Sequence, residues 1–328
     1  MKSIRQKLSY KHKNNKFLYY SLNYLQLLVP NFFFRKSLRK KFAALKDFDR
    51  SYIKLRVNYY NKLNKETLLR SGTEIEALKL GDKFKVYFFD TYEYVRYFGS
   101  HLKINFLFGD ITHVPEEPSI VKSRPIEGDN AFSVVLKLNK IRHYMFVNDN
   151  KPFESKRSML IGRSVVKQPH RIRFYEMYFN HPLCDIGQIN TNKNPLWIKN
   201  RLTIDEFLDY KFILCIEGYD VASNLKWVMS SNSLAVMPKP KYETWFMEGT
   251  LKPDFHYVLL KDDYSDLEEK INYYSTNVDA ALAIIKNAND YVMQFKNKKR
   301  EDLISFLVLD KYFYKTSQAK VDDPALYE

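Results

Sequence analysis

The second half of the chain carries three short apolar segments, KFILCIEG (211–218), SLAVMP (233–238) and FHYVLLK (255–261), with the helix-forming VASNLKWVMSS (221–231) between the first two. Short apolar runs bounded by glycine, proline and polar clusters read as buried strands, and strand, helix, strand at this spacing is the pattern of a parallel α/β layer. The first half alternates similarly: KVYFFD (85–90) and KINFLFGD (103–110) read as strands around a helical TYEYVRYF, and AFSVVLKL (131–138) as another strand. At 328 residues the chain exceeds one ordinary domain and suits two of about 150 residues. With 45% hydrophobic and 28% charged residues it is neither disordered nor low-complexity. No internal repeat links the halves, so doubly wound architecture in each is the economical expectation.

Elsewhere the periodicity is helical. Leu38, Phe42, Leu45, Phe48, Tyr52, Leu55, Tyr59 and Leu63 recur every three or four residues, which predicts one long amphipathic helix over 37–63. The three prolines of 114–125 predict a loop, and the polar NDNKPFESKRS (148–158) a linker between domains. Ser265 and Glu268 have the spacing of a capping box opening a helix to Tyr274, and further helices are expected over 279–295 and 299–313.

Charge is concentrated at one end. Twelve of the fifteen excess positive charges lie in residues 1–46, which contain no Asp or Glu, so the rest of the chain is nearly neutral. Within this arm FLYYSLNYLQLLVPNFFF (17–34) is uncharged, but Ser21, Asn23, Gln26, Asn31 and Pro30 argue against a membrane span, and the small-residue cleavage site of a signal peptide is missing. An aromatic, leucine-rich segment flanked by Lys and Arg suits the surface of an anionic membrane, where each cation contributes about 1 kcal/mol. Two other readings stand beside it. The aromatics could pack on the body as ordinary core, or the arm could stack on bases and bind nucleic acid.

Many catalytic signatures are missing. The glycines never form G-x-G, so a dinucleotide fingerprint and a Walker loop are both absent, and neither G-x-S-x-G nor H-E-x-x-H occurs. Two cysteines, Cys184 and Cys215, outside any C-x-x-C pair, argue against a disulfide framework or a thiolate zinc site and fit a reducing cytosol. Asp47-Phe-Asp49 is the one D-x-D, and on the predicted long helix it reads as a solvated face rather than a metal–diphosphate site. What remains is a strand ending in Glu217-Gly218, a short turn, and a helix start carrying Ser223, Asn224 and Lys226. Free amides and the helix dipole at the carboxyl end of a parallel strand attract anions, which makes this a candidate phosphate site. Gly162-Arg163, after the strand-like MLI, and His170-Arg171 add further cations.

The block 210–295 resembles glycosyltransferase family 90. The features that carry the likeness are the strand-Gly-turn-helix of KFILCIEGYDVASNLKW, the return strand SNSLAVMP, WFMEGTLKPDFHYV before the next strand, and DYSDLEEK at the following helix. Upstream, GDITHVPEEPSIVKSRPI (109–126) and the later IGR resemble the family's N-terminal half, so the likeness covers roughly 106–313 and leaves the basic arm outside. The family includes bacterial lipopolysaccharide core-modifying transferases, fungal capsule-associated xylosyltransferases and animal protein O-glucosyltransferases.

The resemblance implies a GT-B fold, two Rossmann-like domains facing across a cleft, with the donor nucleotide held mainly by the C-terminal one. It divides the chain into the basic arm (1–46), an acceptor-side domain (47–150), a donor-binding domain (151–298), and a final helix and tail (299–328) returning toward the first domain. It implies inverting transfer of a sugar, a hexose being expected, from a nucleotide diphosphate donor, expected to be UDP-linked, with no cofactor or metal. Asp110, at the end of KINFLFGD, matches the family's catalytic aspartate and is the expected base for the acceptor hydroxyl. Gly162, Arg163, Arg171, Gly218, Ser223, Asn224 and Lys226 are the expected donor-binding residues, their cations compensating the departing diphosphate. Animal relatives tend to carry arginine where Asn224 stands, so Lys226 or an upstream arginine must supply that charge. Trp227 and Trp245 read as core rather than as sugar-stacking platforms.

These readings converge on a bacterial, cytoplasmic glycosyltransferase, peripheral on the inner face of the cytoplasmic membrane, that extends a lipopolysaccharide or lipooligosaccharide core or a related surface glycan. Its expected partners are a nucleotide sugar, a glycolipid acceptor and, through residues 1–46, an anionic membrane surface, with no nucleic acid. Transfer to a protein side chain is the enzymatic alternative, and it predicts a signal peptide and disulfides. A non-catalytic basic nucleic-acid-binding protein would account for the charge but not for the family blocks in the near-neutral second half.

Overall fold

The computed structural model describes residues 12, 14–191 and 194–328, so five of the arm's cations, Lys2, Arg5, Lys7, Lys11 and Lys13, lie outside the described residues. The chain divides into two compact units.

The unit made of 15–141, 241–248 and 295–328 is mainly helical. Its centre is the helix Lys298–Lys315, buried on nearly every face and packed against helices Leu38–Phe42, Arg50–Tyr60 and Lys85–Val95. Strands β1 (Thr73–Glu74) and β2 (Lys103–Ile104) pair antiparallel, while β3 (Phe106–Leu107), β4 (Ser119–Val121) and β6 (Ser133–Val135) form a small parallel sheet in the order β3-β4-β6. Strand β5 (Ser123–Pro125) pairs antiparallel with β11 (Tyr242–Thr244).

Several local expectations are corrected here. Residues 85–90 begin the helix Lys85–Val95 rather than a strand. Tyr87, Phe88, Phe89, Asp90 and Thr91 are all buried, and an apolar run buried on every side carries no period to separate helix from strand. The strand expected over 103–110 shrinks to β2 and β3, and the proline-rich 114–125, expected as a loop, holds β4 and β5. The single helix expected over 37–63 breaks into Leu38–Phe42, a 3-10 turn Ala43–Asp47, and Arg50–Tyr60. The break comes at Asp49, whose carboxylate accepts from Ser51 N and Tyr52 N at 2.8 and 3.4 Å and caps a new helix.

One side of the N-terminal arm packs on this unit. Tyr19, Tyr20 and Tyr24 set their rings edge-on to Phe89 at 6.4, 6.1 and 5.2 Å. The Arg96 guanidinium lies 3.7 Å from the Phe34 ring centroid and donates to the carbonyls of Gln26 and Val29 at 2.8 and 2.6 Å. The Tyr19 hydroxyl donates to the buried Asp90 at 2.7 Å. Burial pushes the Asp90 carboxyl from 3.8 up to about 6, against the pull of Lys140 and of Tyr19. The folded chain therefore binds this proton more tightly than the unfolded one, so the contribution favours the fold below about pH 4 and is lost as pH rises through 6. Asp90→Asn is accordingly expected to gain thermal stability relative to wild type as pH rises from 4 to 7; a difference between the two melting temperatures that stays constant across that range rejects the assignment.

Residues 142–240 and 249–294, with His12 and Asn14, form the second unit, built on a wholly parallel sheet. Its strands β7 (Arg157–Ser164), β8 (Cys184–Gln188), β9 (Tyr210–Leu214), β10 (Leu234–Met237) and β12 (Val258–Leu259) lie in the order β12-β10-β9-β7-β8. Counted within this sheet alone the order is 2-1-3-4-5, a doubly wound arrangement whose strand order reverses between β7 and β9. Strands β9 and β10 are buried along their whole length, which is why YKFIL and LAVM show no alternation. Helices Pro169–Tyr178, Leu267–Thr276 and Val278–Met293 contribute Phe174, Leu267, Ile271, Ile284 and Ile285 to the core around the sheet.

Two expectations fail in this unit. The helix expected over 221–231 is the single turn Leu225–Val228. Ser265 forms no capping box, because its N–H and hydroxyl both donate to Asp263 Oδ1, at 3.0 and 2.8 Å, and the helix Leu267–Thr276 starts after Asp266. A capping box does occur at Thr203 and Glu206, Thr203 Oγ1 accepting from Glu206 N at 3.2 Å and Glu206 Oε2 from Thr203 N at 2.6 Å. Trp227 and Trp245 are both buried core residues. No helix among the described residues is long and apolar enough to cross a membrane.

Candidate functional site

At the reversal point of the parallel sheet the chain leaves β7 and β9 in opposite directions, toward β8 on one side and β10 on the other. Such divergence opens a crevice at the carboxyl ends of the strands, where open α/β sheets bind ligands. Arg171 bridges it from the first turn of the helix Pro169–Tyr178, whose start is favoured by Pro169. Its Nη1 donates to Val165 O beyond β7 at 2.8 Å, while Nη2 and Nε donate to Ile216 O and Glu217 O beyond β9 at 2.9 and 2.8 Å. Three of the five guanidinium N–H donors are thereby used, and the other two meet no acceptor among the described residues. Burial lowers the pKa of this group below the ordinary guanidinium value, and it stays a cation at neutral pH. His170 Nε2 lies 2.9 Å from the same Glu217 carbonyl and so donates to it.

The other sequence-nominated residues of the turn gather here. A Cβ at Gly218 would stand 3.5 Å from Arg171 Nη2, so a side chain at that position would lie over the guanidinium. Asn224 Nδ2 donates to Leu214 O at 2.9 Å and ties the turn to the end of β9. Ser223 is half-buried beside it, and Lys226 is fully buried one turn on, its Nζ 5.7 Å from the Tyr144 ring centroid.

Arg163 and Gly162 lie elsewhere on β7. Arg163 is committed to β8: Nη2 pairs with Asp185 Oδ1 at 2.9 Å, Nη1 donates to the Asp185 and Gly162 carbonyls at 2.7 and 2.9 Å, and Nε to Asn200 O at 3.2 Å. Its charge is balanced by Asp185, which also accepts from Lys199 at 2.9 Å and from the Tyr210 hydroxyl at 3.1 Å. Burial works to raise the Asp185 carboxyl, but Lys199 and Arg163 prevail and hold it below the usual carboxylate range. A Cβ on Gly162 would stand 3.1 Å from Leu214 Cδ2 and 3.3 Å from Ile186 Cγ2, so this glycine lets the neighbouring strands pack closely.

Asp110 belongs to the other unit. It follows Gly109, whose φ of +121° is open to glycine and strained for any other residue. The Asp110 carboxylate is 40% exposed and accepts a hydrogen bond from the Lys122 ammonium, whose own side chain is 2% exposed. One end of the carboxylate is thus anchored by a buried cation while the group remains open to solvent. The pairing was hidden in the sequence, where Lys122 falls in an expected loop; the register Leu107↔Val121 between β3 and β4 is what carries Asp110 and Lys122 to one end of the small sheet.

The D-x-D carboxylates have separate structural tasks, Asp47 accepting from Lys299 Nζ at 2.6 Å and Asp49 capping a helix. Among the described residues no group of three or more His, Cys, Asp and Glu side chains is placed to hold a metal ion. Chemically, a cation with spare donors at the mouth of a parallel sheet fits an anionic group such as a phosphate, and an anchored, accessible carboxylate fits proton transfer.

Comparison with known proteins agrees with this chemistry. The chain is 42% identical over 265 residues to O-glucosyltransferase LpsA of Dichelobacter nodosus, an alignment spanning 80% of this chain and 83% of that protein. It is 30% identical over 108 residues to protein O-glucosyltransferase 3 of Rattus norvegicus and of Homo sapiens, covering 33% of this chain and 21% of each relative. Residues 137–322 match the profile of Glycosyl transferase family 90. With that match extending over more than half of its length, the chain belongs to glycosyltransferase family 90 and is a glycosyltransferase.

Proposed function

We propose that the protein is an inverting transferase that moves a hexose from a UDP-linked donor to a lipopolysaccharide or lipooligosaccharide core, or a related surface glycan, at the inner face of a bacterial cytoplasmic membrane. The observation that supports this best is Arg171, bridging the ends of β7 and β9 with two donors to spare. Within a GT-B scheme the unit of 142–240 and 249–294 takes the donor and Asp110 supplies the base. The acceptor oxygen attacks the anomeric carbon from the face opposite the diphosphate, the bond from that carbon to the diphosphate oxygen breaks with its electron pair, and Asp110 takes the hydroxyl proton. Arg171 and the donors of the Gly218–Asn224 turn meet the charge developing on the diphosphate, with Lys226 adding positive charge from beneath and no metal required. Arg163 and Gly162 shape the sheet under the site rather than touch the donor. The name of the Dichelobacter relative makes glucose the first sugar to test. Transfer to a protein side chain is the second reading, favoured by the likeness to the protein O-glucosyltransferases.

Thermal stabilisation and donor hydrolysis across UDP-, GDP- and ADP-linked sugars test the proposal. UDP-glucose is expected to give the largest shift. Arg171→Met is expected to weaken donor binding by about ten- to hundredfold, the worth of a charge-assisted hydrogen bond. If no nucleotide sugar shifts the melting temperature, the reading is wrong.

A further inference from the structure

The side of the N-terminal arm turned away from the body is apolar and uncovered by any described residue. While Tyr19 and Tyr20 face Phe89, the helix Lys16–Leu27 and the turn after it expose Phe17 (82%), Leu18, Leu22, Leu25, Leu28 (79%) and, in the next helix, Phe33 (62%). Leu18, Leu22 and Leu25 follow one another at steps of four and three, so they form a single stripe along the helix. Twelve residues of helix measure about 18 Å, well short of a hydrocarbon core of about 30 Å, so this element can lie along a bilayer but not span it.

Charge identifies the occupant. Lys16 at the start of this helix and Lys36, Arg39 and Lys40 just beyond Phe33 in the chain are exposed, Lys36 Nζ stands 4.0 Å from the exposed Phe32 ring, and residues 1–46 contain no carboxylate. An apolar stripe with a purely cationic rim complements anionic headgroups over acyl chains. It opposes pairing with a second copy of itself, which would bring two cationic rims together.

We propose that this face is the docking surface for an anionic lipid bilayer, with the exposed Phe and Leu side chains in the headgroup–acyl boundary and the rim cations on lipid phosphates. The proposal rests on the catalytic reading only for its setting, an acceptor held in a membrane; the residues come from the arm itself. The test is cosedimentation of the full chain, without donor, with vesicles of phosphatidylcholine alone or mixed with phosphatidylglycerol. Binding to the phosphatidylglycerol vesicles is expected to be at least about tenfold tighter than to the neutral ones. It is expected to fall by at least about tenfold both in Leu25→Ser/Leu28→Ser/Phe33→Ser and in Lys36→Glu/Arg39→Glu/Lys40→Glu. All six side chains lie outside the buried core, so both variants are expected to keep the wild-type melting temperature. Equal binding to the two vesicle types overturns the proposal, as does undiminished binding by either variant. So does a wild-type dimer that the apolar variant abolishes while still binding vesicles. Because no donor is present, the result is independent of the catalytic reading, which fails separately if nucleotide sugars give no thermal shift.

Discussion

Asp110→Asn is expected to lower turnover by about 10²- to 10⁴-fold, the usual contribution of a general base, while leaving the thermal shift produced by the donor unchanged. Asparagine keeps the shape of the side chain and can still accept from Lys122 through its amide oxygen, so the local anchor survives and only the proton acceptor is lost. The separation of readouts matters because Asp110, the proposed base, and the turn proposed to bind the donor belong to different units of the chain. Removing the carboxylate should therefore act on the chemical step and not on nucleotide affinity. A variant that turns over within tenfold of wild type, or one whose donor shift disappears, takes the role of base away from Asp110.

Strands β9 and β10 of the parallel sheet were legible because they are buried on both faces and leave uninterrupted apolar runs in the sequence, whereas the edge strand β8, CDIGQ, carries no such run. The helical unit was read less well for the same physical reason turned around. Residues 87–91 are buried on every side, and local pattern alone does not tell a fully buried helix from a fully buried strand. Capping shows a second kind of limit. Ser265/Glu268 and Thr203/Glu206 have the same spacing, but Asp263 competes for Ser265 and no such competitor engages Thr203. The two arginines of the candidate site show a third. Arg163 and Arg171 both follow strand-like segments, yet one is neutralised by Asp185 and the other keeps spare donors. Strand order decides this: placing β8 beside β7 delivers Asp185 to Arg163, whereas placing β9 on the other side delivers only backbone carbonyls to Arg171. Neither consequence can be read from spacing along the chain.

Glu301→Ala is expected to destabilise the helical unit by about 3–5 kcal/mol, the cost of leaving a buried ion without its partner. Arg56 and Glu301 are 0% and 1% exposed, and Arg56 Nη2 reaches both Glu301 oxygens at 3.1 Å. Burial alone would drive down the pKa of Arg56, but the oxygens of Tyr60, Glu301 and Tyr52 more than offset it. The carboxylate also accepts from Trp245 Nε1 at 2.6 Å. Tyr60 closes the network: its hydroxyl accepts from Arg56 and donates to Trp245 O at 2.8 Å, and its ring stacks on the indole at 3.8 Å and 6°. Removing Glu301 thus takes the ion partner from a guanidinium and the acceptor from an indole N–H together, whereas Glu301→Gln keeps one acceptor oxygen, which in the place of Oε2 reaches both, and should cost less. Arg56→Met/Glu301→Leu, which removes both charges, should cost less than Glu301→Ala, the reverse of additive behaviour. Urea unfolding measures all three. A loss under about 1 kcal/mol for Glu301→Ala would mean that the network does not hold the unit together. If the loss is large while donor binding by the folded protein is unchanged, then Trp245, at the head of the WFMEG segment, is architectural, and the sugar is recognised elsewhere.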